Sequence, residues 1–270
     1  ISNILTFSLL AGSALAVPVE SDIEKRIDCP SVHIFGARET SVSPGYGSSS
    51  TVVNGLLSAY SGSTAEAISY PACGGQSSCG GVSYSNSVAQ GIAAVASAVN
   101  SYNKQCPSTK LVLVGYSQVS YIFSSRKTNF YDLQGGEIID AALCGGGVPN
   151  QGYTNTAVQL STSAVNMVKA AIFMGDPLYV AGLPYNLEHV LLVAYGLPYI
   201  PLELGSFESN ARDIFDARPS GFSCPSASKI QSYCDAPDPY CCNGSNGATH
   251  QGYGAEYGAQ AIAFVKSKLG

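Results

Sequence analysis

A serine that follows a strongly apolar run is the residue with the clearest chemical potential in this chain. Residues 111–118 read LVLVGYSQ, so Ser117 lies at the end of a predicted strand, two positions after Gly115. A sharp turn at that point exposes a serine hydroxyl at the carboxyl end of the strand, as in a nucleophile elbow. The elbow also expects glycine two residues after the serine, where Val119 stands. The sequence therefore predicts a serine nucleophile in an interrupted motif.

A serine hydroxyl is a weak nucleophile without a general base, and histidine is the usual base near neutral pH. His250 lies in a polar, glycine-containing segment ahead of the last predicted helix, whereas His33 falls inside a predicted strand. Asp238 precedes His250 by twelve residues, in a segment stiffened by proline and cysteine. Serine, carboxylate and histidine in this order are typical of α/β esterases, so Ser117, Asp238 and His250 form the predicted catalytic triad. Asp176, at the end of another predicted strand, is the alternative carboxylate, although a turn before proline explains it better.

The oxyanion of an acyl-transfer intermediate needs two hydrogen-bond donors. We expect the first to be the backbone N–H of Gln118, the residue directly after Ser117. We expect the second from the segment that follows the first predicted strand, where Thr40 could offer a backbone N–H and a hydroxyl.

The composition excludes some classes of function. Only 11% of the residues are charged and the net charge is -5, which argues against a nucleic-acid partner, because such proteins are expected to carry a basic patch. This balance suits a small neutral substrate or a neutral polymer. The cysteine spacing does not resemble a zinc site, so we predict no metal and no cofactor. After the start of the chain no segment is long and apolar enough to cross a membrane.

The first residues resemble a secretion signal. Residues 1–16 are apolar and end in Ala-Leu-Ala, a small-x-small cleavage site, so they are predicted to be a signal peptide with a truncated start. Residues 17–26 end in Lys-Arg and are predicted to be a propeptide, which leaves residues 27–270 as a single domain. Nine cysteines behind a signal peptide indicate disulfide bonds and an extracellular location. Asn243 starts an Asn-Gly-Ser glycosylation sequon.

Strands and helices alternate along the chain. This pattern predicts an α/β fold with a mostly parallel central sheet that is covered on both faces. The working residues of such sheets lie at the carboxyl ends of the strands, and Ser117, Asp176 and the segment after Phe35 all fall there. The main predicted elements are strands at Val32–Ala37, Leu111–Gly115 and Val168–Met174, and helices at Ser85–Tyr102 and Glu256–Lys268.

Several long strings resemble the fungal secreted acetylxylan esterases of the cutinase-like serine esterase family. They are CPSVHIFGARET at 29–40, YPACGGQSSC at 70–79, GYSQ at 115–118, GDP at 175–177, DPYCCNG at 238–244 and THQGY at 249–253. The resemblance implies a cutinase-like α/β-hydrolase fold, a three-layer sandwich. It implies that Ser117 is the nucleophile, His250 the base and Asp238 its orienting carboxylate, with Thr40 and Gln118 as oxyanion donors.

The same resemblance implies a disulfide framework and a substrate. The implied pairs are Cys29–Cys106, Cys73–Cys79, Cys144–Cys242 and Cys234–Cys241, which leaves Cys224 unpaired. The implied substrate is the acetyl ester of acetylated xylan, a polysaccharide, and we expect a monomer. One alternative is a cutinase that acts on longer acyl chains or polyesters. The other is a secreted product that is catalytically impaired or inactive.

Two segments are longer than the family pattern. Removal of residues 119–134 joins Gln118 to Gly135 and restores the elbow as Gly-Tyr-Ser-Gln-Gly. Valine codons begin with GT and glutamine can be CAG, so the segment can begin and end like an intron. We interpret residues 119–134 and roughly 187–214 as intron-derived insertions. A genuine insertion is the alternative, although it would displace the helix that positions the nucleophile.

Overall fold

The computed structural model describes residues 28–117, 134–187, 218–219 and 221–270. The predicted signal peptide, the predicted propeptide and Gln118 lie outside these ranges. All but Gln134 of the first predicted insertion and all but Leu187 of the second lie outside them too.

Six strands in the described ranges form one parallel sheet, which confirms the predicted α/β architecture. The order across the sheet is β2-β1-β3-β4-β6-β5, and all five pairings are parallel. The strands are β1 (Val32–Ala37), β2 (Thr64–Ala67), β3 (Lys110–Tyr116), β4 (Val168–Met174), β5 (Asn186–Leu187) and β6 (Ile230–Tyr233).

The described residues include five α-helices, which pack on the two faces of this sheet. They are α1 (Ser50–Ala59), α2 (Tyr84–Gln105), α3 (Gly135–Cys144), α4 (Thr162–Met167) and α5 (Gly247–Leu269). Short 3₁₀ turns lie at Gly47–Ser49, Ser77–Cys79, Pro149–Gln151 and Ala227–Lys229. All ten residues of α3 are buried, so this helix lies in the interior rather than on the surface.

The core has two halves, one on each face of the sheet. Side chains alternate between the faces of a strand, so a strand covered on both sides is apolar throughout. In β3, Leu111 and Leu113 pack with α2 and α3, whereas Val112 and Val114 pack with α1 and α5. The fold is therefore the three-layer sandwich that the resemblance implied.

The last helix begins earlier than the sequence predicted. The pattern indicated a helix from Glu256, but α5 begins at Gly247 and contains His250. The side chain of Asn246 caps it by accepting a hydrogen bond from the backbone N–H of Ala248. The glycines in this stretch have low helix propensity. Tertiary packing overrides that propensity, since α5 lies so close to α1 that a Cβ on Gly258 would be 3.2 Å from Cγ2 of Thr51.

Four disulfides are present, and one differs from the expected pairing. Cys144 pairs with Cys224, so the expected Cys144–Cys242 bridge and the unpaired Cys224 are both wrong. The reason is the sheet itself: Cys144 and Cys224 lie in the core on the α2 and α3 side, whereas Cys242 lies on the α1 and α5 side. The Sγ atom of Cys242 is 2.7 Å from Sγ of Cys234. The three confirmed pairs are Cys29–Cys106, Cys73–Cys79 and Cys234–Cys241.

None of the helices in the described ranges combines the length and the apolar character that crossing a membrane requires.

Candidate active site

Ser117 directly follows the central strand β3. Its backbone N–H donates to the carbonyl of Met174, 2.9 Å away, so the turn stays attached to β4. Gly115 is required just before it, because a Cβ there would collide with the backbone of Gly135 at the start of α3. The Ser117 side chain is fully buried, and within the described ranges its Oγ makes no hydrogen bond.

Asp238 and His250 form a direct contact in the interior. The Nδ1 atom of His250 is 2.6 Å from Oδ2 of Asp238, and both side chains are fully buried. The other carboxylate oxygen accepts from the backbone N–H of Tyr240 at 2.7 Å. Burial alone raises the pKa of Asp238, but the charge of His250 and the hydrogen bonds that the carboxylate accepts hold this pKa below its ordinary value. Asp238 is therefore an ionised carboxylate that can orient the imidazole.

Gly175, directly after β4, lies next to both the backbone of Ser117 and the imidazole of His250. A Cβ on Gly175 would lie 2.8 Å from Nδ1 of His250 and 3.0 Å from the backbone oxygen of Ser117. Its φ angle of 68° also disfavours any residue with a side chain. The structure thus brings all three predicted triad residues to one edge of the sheet. Oγ of Ser117 and Nε2 of His250 are not hydrogen-bonded to each other, and in free enzymes such bonds are often long.

Asp176 belongs to a different cluster from the triad. Its Oδ1 atom accepts from the backbone N–H of Leu178 at 3.0 Å, which is the turn interaction expected before proline. Burial and the nearby carboxylate of Asp140 raise the pKa of Asp176 well above its ordinary value. Asp140 itself pairs with Arg218 at 3.2 Å. The structure therefore favours Asp238 over Asp176 as the carboxylate that faces His250.

Thr40 lies in a loop that two buried charged residues hold in place. The guanidinium of Arg38 donates to the carbonyl of Tyr70 at 2.6 Å and the carboxylate of Glu39 accepts from the backbone N–H of Ser48 at 2.9 Å. Thr40 is fully buried, and its hydroxyl has no hydrogen-bond partner in the part of the chain that the structure describes. The Thr40 hydroxyl therefore lies in the interior without a hydrogen bond to any described residue.

Gln134 occupies the position at the start of α3. Its side chain donates to the carbonyl of Cys73 at 3.0 Å and accepts from the hydroxyl of Ser87 at 2.7 Å. A Cβ on Gly135, the next residue, would collide with the carbonyl of Tyr116 and lie 2.6 Å from that of Ala37. The helix therefore starts against the ends of β3 and β1, beside Ser117.

This position bears on the first predicted insertion. Removing residues 119–134 or residues 118–133 leaves the same sequence, because both Gln118 and Gln134 are glutamine. The sequence therefore could not distinguish which glutamine follows the nucleophile in the fold. Of the two, Gln134 is the one within the described residues.

The remaining histidines have different surroundings. His33 is buried in β1, its Nδ1 atom is 2.6 Å from Oγ1 of Thr64, and its ring stacks on Tyr102 at 3.8 Å. Burial lowers its pKa to about 4, so it is a neutral packed residue, as its strand position indicated. His189 lies outside the described residues.

Tyr253 is a site residue that sequence reasoning missed. It lies three positions after His250, and its hydroxyl is 2.6 Å from Oδ2 of Asp238. Residues three apart lie on one face of a helix. The signal was therefore present, but it becomes readable only once His250 is known to lie within α5.

Within the described part of the chain, no three free thiolate, imidazole or carboxylate ligands converge at the site. Among the described residues, two clusters bring such atoms within 4.8 Å of one another, and both include Cys241. The sulfur of Cys241 is bound in the bridge to Cys234 and is not available as a thiolate ligand.

This chain is similar to known proteins over nearly its whole length. The sequence profile of the Cutinase family matches residues 28–269. Acetylxylan esterase 2 of Talaromyces purpureogenus is 67% identical over 269 residues, which cover 100% of this chain and 99% of that protein. Cutinase 11 of Verticillium dahliae is 56% identical over 97% of this chain and 77% of its own length. A solved acetylxylan esterase is 69% identical with a TM-score of 0.74, covering 90% of this chain and 100% of that one. The chain therefore belongs to the Cutinase family.

Proposed function

We propose that this protein is a secreted serine esterase that removes acetyl groups from acetylated xylan. The observation that carries the proposal is the buried contact between Asp238 and His250, 2.6 Å long, at the edge of the sheet where Ser117 follows β3. The similarity to acetylxylan esterases over nearly the whole chain supports the substrate class.

In the proposed mechanism, Ser117 and His250 act as nucleophile and base. Because the ionised carboxylate of Asp238 can only accept, it holds the imidazole proton on Nδ1 and leaves Nε2 able to accept one. Oγ of Ser117 bonds to the acetyl carbon as its proton moves to Nε2. That proton then passes to the departing sugar oxygen as the ester bond breaks. Water repeats the sequence on the acetyl-enzyme, which releases acetate and restores the serine.

Two donors would stabilise the oxyanion in each half of the reaction. Thr40 is one proposed donor, because its hydroxyl is fully buried and is not paired within the described ranges. Gln118 is the proposed second donor, because it directly follows Ser117 in the sequence. Gln134 lies at the start of α3, beside Ser117, which supports Gln134 as the structural equivalent of Gln118.

Acetate release from acetylated xylan tests the proposal. The full chain should release acetate, and Ser117→Ala should reduce release to background while its melting temperature stays close to that of the parent. An unchanged rate in the Ser117→Ala protein would remove this serine from the mechanism.

Two alternatives are outcomes of related measurements. The 56% identity to a protein named Cutinase 11 supports a cutinase, which would prefer p-nitrophenyl butyrate or longer esters over the acetate. The full burial of Ser117 supports a catalytically impaired protein, which would hydrolyse none of these p-nitrophenyl esters.

Secretion and modification are also proposed. Asn243 is exposed, which is compatible with glycosylation at the predicted sequon. A mass decrease on treatment with an N-glycosidase, absent in Asn243→Gln, would support both the modification and passage through the secretory pathway. We propose that the two insertions derive from introns, and a transcript that keeps both segments would contradict this.

A further inference from the structure

The phenol of Tyr253 has a hydrogen-bonding direction that the structure determines. Its oxygen accepts from the backbone N–H of Asp235 at 2.9 Å, because an amide can only donate. The single phenol proton therefore goes to Oδ2 of Asp238, 2.6 Å away. Tyr253 is fully buried, so water does not compete for this proton.

The same carboxylate oxygen receives two donors from one helix face. Nδ1 of His250 and the hydroxyl of Tyr253 both lie 2.6 Å from Oδ2 of Asp238. The opposite oxygen accepts from the backbone N–H of Tyr240 at 2.7 Å. Together these contacts leave the carboxylate one orientation, and the contact from Tyr253 is the one that a side-chain change can remove without altering either member of the pair.

We propose that Tyr253 is a positioning residue of the proposed esterase, which holds Asp238 ionised and aligned with Nδ1 of His250. This inference rests on the proposed function. Tyr253 acts through Asp238 and transfers no proton to the substrate.

The surrounding charges are consistent with this role. Burial, followed by the charge of Asp238, raises the pKa of Tyr253 far above its ordinary value, so the phenol keeps its proton over the whole working range of pH. Its hydrogen bond is one of the contacts that lower the pKa of Asp238. The titratable groups packed around the phenol are Asp238, His250, Asp235, Tyr116 and Tyr257.

Tyr257 offers a matched control. It lies one turn further along α5, is also buried, and its hydroxyl donates to Oδ1 of Asp235 at 2.6 Å. Each tyrosine thus donates one short bond to a carboxylate of the same loop, but only Tyr253 reaches Asp238. Replacement of either tyrosine by phenylalanine removes one hydroxyl group, at positions one turn apart on α5.

The experiment compares Tyr253→Phe with Tyr257→Phe in the full chain, using p-nitrophenyl acetate from pH 4 to pH 9. We expect Tyr253→Phe to lower kcat by about 10-fold with KM changed by less than about 2-fold, because a hydrogen bond to a charged group is lost while the substrate contacts stay. Loss of that bond raises the pKa of Asp238, so the acidic limb of the kcat profile moves to higher pH. Tyr257→Phe should leave kcat and the limb unchanged.

A Tyr253→Phe protein with the parent's kcat and pH profile would overturn the proposal, and so would an equal shift in Tyr257→Phe. If Tyr253→Phe does not fold, 3-fluorotyrosine at position 253 keeps the volume and makes the phenol a stronger donor. The acidic limb should then move to lower pH, and an unmoved limb would overturn the proposal.

A second measurement separates this inference from the esterase itself. The proton NMR signal of the His250 ring N–H, assigned by its loss in His250→Gln, reports the contact with Asp238 without any turnover. The signal should move in Tyr253→Phe and stay in place in Tyr257→Phe. If the parent protein lacks esterase activity, the proposed function fails, and this signal still decides whether Tyr253 aligns the pair.

Discussion

Replacement of Asp238 by asparagine tests the proposed site at its most constrained point. Asparagine has nearly the same shape, but one of its two terminal atoms is a donor instead of an acceptor. Oδ1 of Asp238 faces the backbone N–H groups of Tyr240, at 2.7 Å, and Cys241, at 3.4 Å. Backbone donors cannot reverse, so the amide oxygen must stay on that side and the NH₂ group must replace Oδ2.

This orientation changes the imidazole tautomer. Oδ2 faces Nδ1 of His250 at 2.6 Å, so an NH₂ group there would donate to Nδ1 and force the ring proton onto Nε2. Nε2 is the atom that must accept the proton of Ser117 in the proposed mechanism. The ring is then present and well packed, but it cannot act as a base.

We expect Asp238→Asn to lower kcat by about 10⁴-fold, the cost of the wrong tautomer in a serine triad. The assay is p-nitrophenyl acetate hydrolysis at pH 7, with thermal unfolding of the same samples. Asp235→Asn is the control, because Asp235 lies in the same loop and accepts from Tyr257 instead of His250. A kcat within about 10-fold of the parent for Asp238→Asn would refute the reasoning, as would an equal loss in Asp235→Asn.

Three further outcomes are expected. The double replacement Cys144→Ala and Cys224→Ala should destabilise the protein by about 4–5 kcal/mol in chemical unfolding, because the bridge has a sequence separation of 80 residues. Cys242→Ala should lower the free energy of unfolding far less, and an equal decrease would support the Cys144–Cys242 pairing that the family resemblance implied. Asp176→Asn should raise the melting temperature at pH 7, because burial raises the pKa of Asp176 and its ionisation in the unfolded chain opposes folding above about pH 4. This gain should vanish at pH 3.5, and a gain that persists there would contradict the charge argument. In the full chain Gln118 follows Ser117 but Gln134 precedes α3, and deletion of residues 118–133 makes one glutamine do both. The deletion should therefore fix the second oxyanion donor and increase esterase activity by about 100-fold, and an inactive deletion protein would show that the segment is integral.

Much of the site followed from local patterns. The apolar run before Ser117 predicted a buried strand, because only a strand covered on both faces is apolar at every position. Cys73 and Cys79 are only six residues apart, so their pairing could be predicted without knowledge of the fold. The order of Ser117, Asp238 and His250 predicted which side chains would lie at the same sheet edge. In the structure Asp238 contacts His250, and Gly175 lies next to both the His250 ring and the backbone of Ser117.

Other features depend on contacts between distant segments. The helical state of His250 was not predicted, because glycines with low helix propensity surround it and packing against α1 compensates for them. The role of Gln134 was hidden because it has the same residue type as Gln118. The contact of Tyr253 with Asp238 requires the register of α5 against the loop before it.

The sequence by itself determined the layers of the fold, the strand that precedes Ser117 and the residue types that could carry acyl transfer. The first two depend on hydrophobic periodicity, and the third depends on the chemistry of each side chain alone. Only the tertiary structure decided that Cys224 rather than Cys242 reaches Cys144, because a covalent partner must lie on the same face of the sheet. It also decided the direction of each hydrogen bond around Asp238, because that direction depends on fixed backbone donors brought from other parts of the chain.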